Sequence, residues 1–122
     1  MSARVRIGRV YDPPDGDAAR ILVDRLWPRG LSKVKAALDE WCKQVAPSAE
    51  LREWYAHDPD RFDEFRRRYE AELAAGEQAD ALAHLRELAR DRPLILLTGS
   101  KALEISDAAV LADLLTGQLR PR

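Results

Sequence analysis

Asp24-Arg25-Leu26-Trp27-Pro28-Arg29-Gly30 sets an acid, two guanidinium groups and an indole directly after the apolar run Ile21-Leu22-Val23. Guanidinium groups present planar forks of donors that match carboxylates and phosphates, so Arg25 and Arg29 are candidates to clamp an anion. Asp24 beside them can orient the arginines or accept a proton. The same residues also suit a structural ion-pair network at a strand end, with Trp27 as a core plug and Pro28-Arg29-Gly30 as a turn.

Other groups with chemical capacity are spread along the chain. Thr98-Gly99-Ser100-Lys101 follows a second apolar run, Leu94-Ile95-Leu96-Leu97, and offers backbone N–H groups, hydroxyls and an amine to a phosphate. It lacks the glycine spacing of a P-loop or a dinucleotide-binding turn, so Thr98, Ser100 and Lys101 count for their position more than as a motif. Tyr11 ends the first apolar segment and adds a phenol at the same level. His57 is a candidate acid or base, since an imidazole ordinarily titrates near neutrality, although a histidine at a helix end also satisfies terminal carbonyls. Lys43 is a third candidate proton donor, with snorkelling of its stem to solvent as the alternative. Asp12, Asp15, Asp17 and Asp24 do not match a calcium loop, and no metal or cofactor is expected. Cys42 lacks an activating environment and reads as a buried filler. Arg66-Arg67-Arg68 has acidic residues at helical spacing (Asp63, Glu64, Glu70), which describes a solvated, ion-paired helix face.

Positioning these groups requires strands that end together. Val5 to Tyr11 alternates as a strand, with Gly8 as a candidate bulge. Asp12 to Asp17, DPPDGD, is turn chemistry. Ile21 to Val23 and Leu94 to Leu97 are continuous apolar runs, as expected of strands buried on both faces. Ser32, Ser48, Asp58 before Pro59, and Ser106 or Asp107 are helix-start signals. Gly76 and Gly117 read as stops. Residues 40–45 fit helix and strand equally. Strands separated by helices define an α/β class with a small, mostly parallel sheet, and in such sheets ligands bind at the strand carboxyl ends. Tyr11, the loop from Asp24 to Gly30, and Thr98 to Lys101 all fall there.

Composition narrows the function classes. The chain has 122 residues, 46% hydrophobic, which suits one domain (residues 1–117) with a short tail at 118–122. With 20 basic and 21 acidic side chains it lacks the positive charge of a typical nucleic-acid binder of this size. A single cysteine excludes an internal disulfide. No apolar run is long enough for a membrane span, the N-terminus does not read as a signal peptide, and a cytoplasmic location is expected.

RVYDPPDGDAARILVDRLWPRGLSK and EWCKQVAPSAELREWYAHDPDRFDEFRRRYEAEL resemble the domain-of-unknown-function family 488, in its short, YeaO-like bacterial branch. The likeness covers about residues 4–115, through VDRLWPRG, APS-x-x-LR-x-W and HDP. It implies a strand where residues 40–45 lie, giving strands at about 4–11, 20–25, 40–45 and 94–98. It carries no established activity. Near the C-terminus the branch's usual aromatic is Thr98 here and its histidine is Ile105, and the cysteines of longer relatives are absent. The expectation is therefore a small anionic ligand held by Arg25 and Arg29, with Asp24, His57 or Lys43 handling protons. A non-catalytic interaction module is the alternative.

Overall fold

The computed structural model describes residues 4–117. Four strands, β1 (Val5–Arg9), β2 (Ala19–Leu22), β3 (Glu40–Trp41) and β4 (Leu94–Thr98), form one sheet in the order β1-β4-β2-β3. All three pairings are parallel. The helices are α1 (Lys33–Ala36), α2 (Ala49–Tyr55), α3 (Phe62–Glu72), α4 (Gly76–Asp91) and α5 (Asp107–Thr116). The α/β class and parallel sheet expected from the alternation of apolar runs and helix signals are what the chain adopts.

The two continuous apolar runs are explained by burial on both faces of the sheet. Ile21, Val23, Leu94 and Leu96 point into one core with Phe65, Tyr69, Leu85 and Leu111. Leu22 and Leu97 point the other way, into a smaller cluster with Val10 and Ala36, edged by Trp27, Leu31 and Trp41. Gly8 sits in regular register opposite Leu97, so the expected bulge is absent. A Cβ there would lie 3.0 Å from Ile95 Cδ1, which is the constraint on that position.

The third strand is shorter than its expected span. After Trp41 the backbone turns into a 3-10 segment, Lys43–Val45. That turn drops Val45 into the larger core, where Tyr69 Oη donates to its carbonyl at 2.6 Å. The alternation of Trp41, Lys43 and Val45 mimics a strand because two of the three residues are apolar, not because they share a face. Gly76, expected as a stop for α3, instead opens α4 with φ +66°.

Arg20 is buried within β2, and its guanidinium donates to the carbonyls of Ala36 (2.8 Å) and Asp12 (3.1 Å). These bonds satisfy the open end of α1 and tie down the loop after β1. Burial lowers the Arg20 pKa, opposed by the charges of Asp12 and Asp39. The triple arginine of α3 is ion-paired: Arg66 with Glu70 and Asp113, and Arg67 and Arg68 with Glu64. Among the described residues no helix is long and apolar enough to cross a membrane.

Candidate functional site

The carboxyl ends of β2 and β4 are joined by one side chain. Asp24, two residues past β2, accepts from Thr98 Oγ1 at 2.9 and 3.1 Å and from the Gly99 N–H at 2.8 Å. Its carbonyl accepts from Trp41 Nε1 at 2.7 Å, adding the end of β3. Thr98 is buried, and its Oγ1 also accepts from the Ser100 N–H at 3.1 Å, which folds the loop after β4 back on itself. Trp27 packs edge-on to Trp41 at 5.2 Å and donates its indole N–H to the Leu31 carbonyl. The tryptophans thus fix the loop from Asp24 to Gly30 as a rigid rim.

Beside this rim lies a cavity of about 390 Å³, a volume within the range of small-molecule pockets. Tyr11, Asp24, Arg25, Arg29, His57, Thr98 and Ser100 all line it. Three stretches remote in the chain therefore meet on one surface. Tyr11 Oη donates to the Arg29 carbonyl at 2.9 Å, binding the end of the first segment to the rim. Arg25 Nε donates to the Pro47 carbonyl at 3.4 Å. His57 reaches the cavity because two consecutive left-handed residues, Ala56 (φ 48°) and His57 (φ 57°), turn the chain sharply after α2. Lys43 and Lys101 do not line the cavity. Lys43 lies exposed with Nζ 4.9 Å from the Trp41 ring centre, and Lys101 is exposed.

Two charged residues of the cavity were not among the candidates read from the sequence, Arg52 on α2 and Asp107 on α5. Ser48 caps α2 by accepting from the Leu51 N–H at 3.1 Å, and its own Oγ donates to Glu72 at 2.6 Å. That anchored cap sets the position of Arg52, whose Nε is buried with no hydrogen-bond partner among the described residues. Ser106 caps α5, accepting from the Ala109 N–H at 3.3 Å and donating to the Leu103 carbonyl at 2.7 Å. Asp107 follows as the first helical residue, with Oδ1 accepting from the Ala108 N–H at 2.8 Å. A serine followed by an aspartate is also the ordinary opening of a helix, so this carboxyl carries no separate signal along the chain. Arg52 does fall inside the APS-x-x-LR-x-W motif, a signal that was available.

Asp107 and Asp24 are hydrogen-bonded to each other through their carboxyls. Burial raises the Asp107 pKa well above the carboxylate range, and the neighbouring Asp24 charge and hydrogen bond raise it further. Two adjacent carboxyls cannot both ionise cheaply. Asp24 in addition receives a hydroxyl and a backbone N–H. No salt bridge among the described residues joins Asp24 to Arg25 or Arg29. The structural ion-pair network considered for DRLWPRG is replaced by a carboxyl–hydroxyl–amide cluster. The aromatic part of the wall is Tyr55 stacked on Phe65 at 4.1 Å, with Tyr55 Oη donating to the Ile105 carbonyl.

The fold and cavity define a small, all-parallel α/β domain with a polar cavity at the strand carboxyl ends. The chain belongs to the DUF488 family: residues 4–122 match the family model DUF488-N3i, described as the inactive DUF488-N3 subclade. It is 50% identical over 118 residues to the uncharacterized protein Rv3073c of Mycobacterium tuberculosis, covering 94% of this chain and 96% of that one. It is 46% identical over 110 residues to the uncharacterized protein YeaO of Escherichia coli, covering 89% and 94%. No solved structure matches the chain.

Proposed function

We propose that this protein binds a small anionic molecule, bearing a phosphate or carboxylate group, in the cavity at the carboxyl ends of β2 and β4. The observation that carries this reading is Arg52, a guanidinium on the cavity lining whose Nε has no hydrogen-bond partner among the described residues. A buried unpaired donor costs about 1–3 kcal/mol, so the side chain gains by turning toward an acceptor brought into the cavity. Arg25 and Arg29 add two further guanidinium groups on the same lining. Three guanidinium groups, Arg25, Arg29 and Arg52, thus face two carboxyls, Asp24 and Asp107, on this lining.

Binding without turnover is the reading favoured for this chain, because the matching subclade is described as inactive. The aspartates then serve as fixed partners of the ligand. His57 lines the same cavity and adds an imidazole to it.

Thermal unfolding with a panel of phosphates, sugar phosphates and carboxylates tests the reading. A ligand at a hundredfold excess over its Kd should stabilise the folded chain by about 2.7 kcal/mol. The double variant Arg25→Ala, Arg29→Ala and the single variant Arg52→Met should lose that stabilisation. If no anion stabilises the wild type more than these variants, the proposal fails.

A further inference from the structure

Resting on that reading, we infer that the ligand is a phosphate monoester of a hydroxyl-rich compound, such as a phosphorylated sugar or polyol. Its phosphate would lie against Arg25 and Arg52, and its hydroxyls against the Asp24–Asp107 pair.

The arginines argue for phosphate over carboxylate. Arg25 comes from the loop after β2, Arg29 from four residues further along that loop, and Arg52 from α2. A planar carboxylate is satisfied by one guanidinium fork, whereas a tetrahedral phosphate presents oxygens to several donors from different directions. Guanidinium groups brought to one lining from separate elements suit the second geometry.

The carboxyl pair argues for hydroxyls. Asp24 and Asp107 line the same cavity and are joined by a hydrogen bond. Carboxyl oxygens accept from hydroxyls, and several hydroxyls on one ligand can engage both side chains. The Thr98 hydroxyl, 2.9 Å from Asp24, shows this pair accepting a hydroxyl already. A ligand made only of an anion would leave the carboxyl pair facing its charge.

Calorimetric titration of the full chain with ribose 5-phosphate, inorganic phosphate and ribose separates the two levels of the argument. Ribose 5-phosphate should bind at least tenfold more tightly than inorganic phosphate, and ribose should bind weakly. Asp107→Leu, which deletes the carboxyl, should bring the ester down to the affinity of inorganic phosphate. Arg52→Met should weaken both. Equal binding of ester and inorganic phosphate by the wild type, still sensitive to Arg52→Met, overturns this inference and leaves the anion site standing. Failure of both phosphates to bind overturns the anion site and the inference together. The wild-type comparison of ester and phosphate decides the matter even if Asp107→Leu does not fold.

Discussion

The carboxyl of Asp107, at the start of α5, is hydrogen-bonded to the carboxyl of Asp24, beyond the end of β2. This contact ties a helix N-terminus to the end of the sheet on the cavity lining. An ionised aspartate at a helix start is usually favourable. Here burial and the second carboxyl oppose ionisation, and they outweigh the helix end.

The pH dependence of stability follows from that competition. The folded-state pKa of Asp107 is raised, so over a window above its ordinary value of about 4 the folded chain holds a proton the unfolded chain has released. Stability contributed by this group is therefore present below pH ~4 and is lost as pH rises through the folded pKa. Asp107→Asn imitates the protonated form and removes this slope. Urea unfolding of both proteins between pH 4 and 8 should show the variant gaining on the wild type as pH rises. A constant difference contradicts a raised Asp107 pKa.

Thr98 supplies the hydroxyl that holds Asp24. Thr98→Val keeps the shape of the side chain but removes the donor and leaves the Ser100 N–H without its acceptor. The expected loss is about 1–3 kcal/mol in chemical denaturation. Thr98→Ser retains the hydroxyl and should lose less than Thr98→Val. The reverse order would assign the position to methyl packing.

Arg52 should behave in the opposite way. Its Nε has no partner to lose, so Arg52→Met is expected to leave stability unchanged or raise it by up to ~1 kcal/mol while weakening anion binding. Denaturant midpoints and ligand titration on the same preparation check both halves. A large loss of stability with intact binding would make Arg52 a structural residue.

Cys42 is buried, and burial together with the Glu40 charge pushes its thiol up to about 11. Thiolate is then scarce at neutral pH, and the thiol should resist alkylation in the folded chain at pH 8 but react in urea. Mass spectrometry after timed labelling reads the difference directly. Rapid labelling of the native chain would show that residues 42–45 open readily.

The sheet was legible because burial on both faces leaves an unmistakable mark, the continuous runs Ile21-Leu22-Val23 and Leu94-Ile95-Leu96-Leu97. Its carboxyl ends followed from that, and with them Tyr11, Asp24, Arg25, Arg29, Thr98 and Ser100 on one lining. The short third strand was obscured because Val45 reaches the core through a 3-10 turn, which periodicity alone does not distinguish from a strand. Asp107 was hidden by the ordinary chemistry of helix starts. Lys43 and Lys101 show the converse: adjacency in sequence to site residues does not turn a side chain toward the cavity. The reading of residues 118–122 as a tail lies outside the described residues.

The most direct test of the anion site is a nitrogen-15 NMR titration with phosphate that follows the Nε–H of Arg52 with the backbone amides. Saturable shifts of Arg52 Nε–H together with amides of Asp24 to Arg29 and Thr98 to Ser100 are the expected result. Unmoved Arg52 resonances, or shifts confined to exposed cations such as Lys33, Lys35 and Arg86, would contradict it.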